Sequence, residues 1–225
     1  MIPPNPSKTL PSASDQTRSA LIRAALRLFG AKGYEGASTR EIAAAAKANI
    51  GSIAYHFGGK EGLRSACASF IVDTIQAVAK QAFSAESMAP KGAAAATAQL
   101  NGVLERMVGF IVAQPEAGEI VQFVLRELAH PTSALDTIYN GVFEPTHVRL
   151  CQIWADATGE DAESDRTKIT VFTLIGQVVY FRIGREAVMR RMGWKAVGPK
   201  EAAAVINVAK DNLAAILAAR KGAKR

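Results

Sequence analysis

Residues 38–63 read STREIAAAAKANIGSIAYHFGGKEGL, and this stretch decides the fold. Ser38-Thr39-Arg40-Glu41 has the form of a capping box. The Ser38 hydroxyl can accept from the Glu41 amide while the Glu41 carboxylate reaches back to Ser38. A helix that starts there buries Ile42 and Ala46 and runs only to about Ala46. Lys47-Ala48-Asn49 is a tight turn. A second short helix follows over 50–57, with Ile50, Ile53, Ala54 and Phe57 on one face and Gly51, Ser52, Tyr55 and His56 on the other.

Upstream, Leu21, Ala25, Leu28 and Phe29 recur at one helical face, and Gly33 after Lys32 is a stop signal. A first helix over about 15–32 results, joined to the second by Gly33-Tyr34-Glu35-Gly36-Ala37. Two short helices across a tight turn, with a third to pack on, make a helix-turn-helix unit. Its last helix fits a major groove about 12 Å wide. The outward glycine, hydroxyls and imidazole allow close approach. Just beyond, Gly59-Lys60-Glu61-Gly62-Leu63 opens the next helix, where a cation and free backbone amides can grip a phosphate.

Charge is distributed in the same sense. The 225 residues carry 27 Lys+Arg against 20 Asp+Glu, a net charge of +7. Residues 1–60 hold eight basic and three acidic groups, 61–180 eight and fourteen, and 181–225 eleven and three. The basic N-terminal part coincides with the helix-turn-helix and points to a polyanion. The basic end at 220–225 reads as a short frayed tail, and residues 1–14, with early prolines at 3, 4 and 6, as a disordered arm rather than a signal peptide. The apolar fraction of 49% excludes a mostly disordered chain, and Cys67 and Cys151 are too few for a disulfide scaffold. The longest apolar stretch, near 170–181, is broken by Gln177 and is short of the ~20 residues a bilayer needs. No membrane partner and a cytoplasmic location are expected.

Thr39-Arg40-Glu41-Ile42-Ala43 and the run from Asn49 to Leu63 resemble the DNA-binding domain of TetR-family transcriptional regulators. The resemblance implies phosphate contacts from Thr39, Ser52, His56 and Lys60, and places Arg40, Ile50, Gly51 and Tyr55 near base edges. Ala54 stands where the family usually has tyrosine, which moves that contact to Tyr55 or His56.

The rest of the chain reads as helix throughout, with 42 alanines, so the fold class is all-α. Helices are expected from Leu63 to about 84, over 93–113, from Pro115 to about 129, from Thr132 or Ser133 with a kink or split at Pro145, over 164–191 with a break near Gly184, and over 199–219. Residues 156–165 read as an acidic loop. The segments Arg126–Asp136, Gly176-Gln177 with Tyr180-Phe181-Arg182, and Met189–Trp194 resemble the C-terminal domain of the CecR-like branch of TetR regulators. That implies a helical ligand-binding and dimerisation domain over 63–219, beside a DNA-binding domain over 15–62, and hints at control of efflux or detoxification genes.

Two helices, 170–180 and 199–219, are apolar over more than one face, which suits a four-helix interface with a second copy. Polar and aromatic residues on the middle helices are candidates for an effector site: Phe123, Arg126 with Glu127 beside it, Tyr139, Trp154, Gln177, Tyr180 and Phe181. Gln177 and Arg126 lead, because either is costly in a core without a partner. His56, His130 and His147 lack metal-ligand spacing, and there is no nucleophile elbow, P-loop or dinucleotide fingerprint. No catalytic residue, metal or cofactor is expected. The expectation is a dimeric regulator that binds double-stranded operator DNA and is released by a small molecule. The alternatives are an activator of the same fold, and a helical small-molecule-binding protein or enzyme without specific DNA binding.

Overall fold

The computed structural model describes residues 12–83 and 92–222. Most of the expected arm, the break around Pro90 and the last three residues of the basic tail lie outside them. Among the described residues there are eleven α-helices and no strand. They are α1 (Ala13–Gly36), α2 (Thr39–Ala45), α3 (Gly51–Phe57), α4 (Lys60–Phe83), α5 (Ala93–Val108), α6 (Glu116–Ala129), α7 (Ser133–Ile138), α8 (Glu144–Thr158), α9 (Asp165–Ile183), α10 (Arg185–Met192) and α11 (Pro199–Gly222).

The ends of these helices follow local chemistry. Ser12 caps α1 by a capping box with Asp15, so the helix begins inside the expected arm. Gly33, at φ 76°, breaks the helical path and leaves 34–36 as a last turn. Ser38 and Glu41 form the expected box at α2. α5 runs into a π-turn, Gly109–Ala113. A second π-turn, Tyr139–Phe143, separates α7 from α8, and Pro145 sits in the first turn of α8, where its missing N–H leaves no bond unmade. The split expected at Pro145 is therefore made just before it. The acidic loop is shorter than expected. α8 continues through Asp156 to Thr158, because Ala157 and Thr158 are buried, and Gly159 in the left-handed region ends it.

Among the described residues there are two hydrophobic cores. In the first, Leu21, Leu26 and Phe29 of α1 meet Ile42, Ile53 and the start of α4, and α6 and α7 add Ile120, Phe123 and Ile138. In the second, α5 and α8 pack with α9 and α11 around Leu104, Val108, Ile153, Trp154, Val178 and Leu213. Arg182 of α9 ties that helix to the segment between α5 and α6. Its guanidinium donates to the carbonyls of Ile111, Val112 and Gln114 at the end of the first π-turn.

Among the described residues α11, not the stretch 170–181, is a single helix long and apolar enough by composition to cross a membrane. It uses one stripe, Ala202, Val205, Ala209, Leu213 and Leu217, in the second core. Arg220 is not part of a frayed tail. It lies in α11, half-buried, 3.9 Å from Glu160 and donating to the Thr170 hydroxyl. The second face of these helices stays open, with Phe172 at 61% and Val208 at 60% exposure, alongside Ile169, Tyr180 and Ile183.

Candidate nucleic-acid interface

The candidate reading surface is set by the turn between α2 and α3. Lys47 takes φ 54°, and the Ala48 amide donates back to Ala43. The Asn49 side chain then accepts from the Gly51 amide at 2.8 Å and opens α3. At the other end Gly58 and Gly59, with φ of 72° and 135°, turn the chain sharply into α4. Gly62 lets α4 approach the end of α3, since a Cβ there would lie 1.8 Å from the Phe57 carbonyl oxygen.

α3 is anchored by Ile53, which is 2% exposed, and by half-buried Phe57. Ile50 and Ala54 were expected to share that inner face. Both are exposed, because a seven-residue helix on a single anchor stripe turns positions 50 and 54 to its flank. The open face is therefore Ile50, Gly51, Ala54 and Tyr55, the last 83% exposed, with Ser52 and His56 half-buried at its edge. The His56 ring meets Tyr55 edge-on at 4.9 Å. Thr39 and Arg40 stand at the start of α2, and Lys60 at the start of α4.

Lys60 is held in place. Its Nζ lies 4.2 Å from the centre of the Tyr34 ring, and the Arg64 guanidinium sits 4.1 Å from the same ring. Burial, with Glu61 adding, pushes the Tyr34 phenol up. Sequence reading treated Tyr34 only as part of a link, since nothing local shows that its ring reaches α4. On the same side, the Lys32 ammonium at 2.7 Å and the Ser38 amide hold the Glu41 carboxyl down at about 2.

The effector candidates do not form one site. Phe123 is buried against Phe29, and Arg126 donates to the carbonyls of Gly30 and Ala31 at the end of α1. These two, with buried Glu127, line a cleft between α1, α4 and α6. Trp154 is fully buried in the second core and its indole N–H donates to Glu160 at 2.8 Å. Phe181 packs at that core's edge. Gln177 accepts from Asn212 of α11, and its amide nitrogen is buried without an acceptor among the described residues. Tyr139 and Tyr180 face outward. The bundle interior holds an apolar cavity of about 30 Å³ between Leu104, Met107, Leu150, Val171, Leu174 and Leu213. None of the seven candidates lines it. Among the described residues, no cluster of His, Cys and acidic groups could hold a metal.

Comparison with known proteins agrees with this arrangement. Residues 21–67 match the family described as bacterial regulatory proteins, tetR family. Residues 96–220 match the C-terminal domain of HTH-type transcriptional dual regulator CecR. The chain is 36% identical over 195 residues to the dual regulator CecR of Shigella flexneri, covering 85% of this chain and 86% of that protein. A TetR-like regulator from Rhodococcus sp. RHA1 superposes with a TM-score of 0.63 at 16% identity, over 91% of this chain and 98% of that one. AibR, crystallised with isovaleryl coenzyme A and operator DNA, superposes with a TM-score of 0.61 at 17% identity, over 86% and 96% of the two chains. The chain belongs to the TetR family of bacterial regulatory proteins, with a CecR-type C-terminal domain, and is a DNA-binding transcriptional regulator rather than an enzyme.

Proposed function

We propose that the protein is a homodimeric repressor, working in the cytoplasm, that leaves a palindromic operator when a small molecule binds its C-terminal domain. Residues 15–62 form the reading head and 63–219 the effector and dimer domain. The observation that carries the reading is the open face of α3, with Tyr55 83% exposed over buried Ile53. Arg40, Ile50, Gly51 and Tyr55 lie against base edges, while Thr39, Ser52, His56 and Lys60 take phosphates. Two heads related by a two-fold axis match half-sites about 34 Å or a multiple apart. The copies meet through the open faces of α9 and α11, whose exposed Ile169, Phe172 and Val208 support this pairing.

The effector enters between α5, α8, α9 and α11. The apolar cavity there is about 30 Å³, far below the ~300 Å³ of an ordinary ligand site, so binding must part the helices. Parting them shifts α9, and through Arg182 it shifts α6 and the reading head. Gln177 does not line that cavity, but it lies three residues from Leu174 on α9, and its unpaired amide nitrogen becomes available to an acceptor once the helices part. Efflux or detoxification genes are the regulated set. The dual regulator named in Shigella favours a second reading, in which the same protein activates at some promoters.

The test is fluorescence anisotropy against DNA from the chain's own promoter region at several salt concentrations. Lys60→Ala should weaken binding and lower the salt slope by about one. Tyr55→Ala should cost about 1–3 kcal/mol and relax sequence preference. Unchanged operator affinity in both variants would mean that another surface reads the DNA.

A further inference from the structure

The C-terminal part of α1, the start of α4 and the end of α6 line a cleft of about 370 Å³. It lies between the reading head and the helical bundle, apart from the small cavity inside the bundle. Phe29, Tyr34 and Phe123 supply aromatic walls, and Lys32, Arg64, Arg126 and Glu127 supply charge. Its size is that of a small-molecule site.

The charges in it are unequally matched. Lys32 pairs with Glu41 at 2.7 Å. Arg64 makes two bonds to Glu61, at 2.6 and 2.8 Å. Arg126 is engaged by the Gly30 and Ala31 carbonyls at the end of α1. Glu127 differs. It is 6% exposed, and among the described residues it accepts one hydrogen bond, from the Thr132 hydroxyl, and forms no ion pair. A buried carboxylate with only a neutral partner is costly until a cation reaches it. In the same cleft, Arg64 Nε is buried with no acceptor among the described residues.

We propose that this cleft binds a small organic amine. Its ammonium pairs with Glu127, its body lies on the aromatic walls, and an oxygen acceptor reaches Arg64 Nε. An anion is disfavoured, since Lys32 and the Arg64 terminal nitrogen already hold Glu41 and Glu61, Arg126 holds two carbonyls, and Glu35 and Glu127 would repel it, leaving the single Arg64 Nε donor for a neutral oxygen. The site is additional to the effector cavity in the bundle and does not depend on it. It also touches the reading head, because the Tyr34 ring in its wall carries the Lys60 ammonium at 4.2 Å. A ligand packed on Tyr34 moves Lys60 and changes DNA affinity.

The full-length protein is titrated with tyramine, with 4-ethylphenol, which lacks the amine, and with 3-(4-hydroxyphenyl)propionate, which carries a carboxylate instead. Calorimetry should show tyramine binding at least about tenfold tighter than either analogue, the effect of one charge-assisted hydrogen bond. Glu127→Gln keeps the shape and should remove that preference while leaving operator affinity without probe unchanged. A readout that needs no change at Glu127 is 3-fluorotyrosine labelling of the four tyrosines. Tyramine should shift the Tyr34 resonance and leave those of Tyr139 and Tyr180 in place. The proposal is overturned if no amine binds at millimolar concentration, if the carboxylate analogue binds as well, or if the shifts fall on Tyr139 or Tyr180 alone. Operator binding measured without probe tests the regulator reading separately.

Discussion

A Cβ on Gly62 would stand 1.8 Å from the carbonyl oxygen of Phe57, so the first turn of α4 rests directly on the backbone end of α3. Backbone cannot yield as a flexible side chain does. Gly62→Ala should force the two helices apart and cost roughly 1–3 kcal/mol of stability. With α3 as the proposed reading helix, operator affinity should fall further than melting temperature alone explains. Parallel thermal melts and anisotropy titrations check this, and a variant that melts and binds like wild type would contradict it.

Arg126 reaches from α6 to two carbonyls at the end of α1, bonds that a charged donor strengthens. Arg126→Ala should destabilise the protein by about 1–3 kcal/mol, seen as a lower urea midpoint. Arg126→Lys should recover little, because one ammonium cannot span both carbonyls in the planar guanidinium's geometry.

Val208 tests the pairing of copies more cleanly than Phe172, whose ring also stacks on His147 at 3.9 Å. Val208→Glu should leave the monomer fold intact and weaken self-association on the order of 100-fold, by placing like charges near a two-fold axis. Sedimentation velocity would report a monomer with an unchanged far-ultraviolet spectrum. A stable dimer would move the interface to another face.

The Glu41 carboxyl is pulled from its usual 4.5 to about 2, first by the Lys32 ammonium and then by the Ser38 amide and hydroxyl. The folded value lies below the unfolded one. Its stabilisation is therefore complete above about pH 4.5 and is lost as the pH falls toward 2. Glu41→Gln should melt below wild type at neutral pH, and the gap should close across that acid window. A gap independent of pH would place the effect elsewhere.

What was legible in the sequence was local. Ser38 and Glu41 lie three residues apart, so the capping box, the turn and the order of helices could be read from spacing. Gly33, Gly184 and Pro145 marked breaks for the same reason. Positions fixed by distant partners were not legible. Ile50 and Ala54 fit an inner stripe by spacing, but only the packing of Ile53 and Phe57 decides which flank opens. Nothing local showed that Arg126 is held by the Gly30 and Ala31 carbonyls, because these partners lie more than ninety positions away. Tyr34 gave no sign of its hold on Lys60 and Arg64, since cation–ring contacts leave no sequence period.

The first core bears on how this protein could be recombined. Phe29 of α1 is covered by Phe123 of α6, and Ile138 of α7 closes the same cluster. A fragment cut at residue 62 would lose Leu63, Cys67 and Ile71 as well and leave those aromatic and aliphatic surfaces wet. The reading head is thus not a cassette that transplants by its own residues. A chimera that borrows it from a relative has to carry the matching surfaces of α4, α6 and α7, so the N-terminal helices and part of the C-terminal domain have to move together.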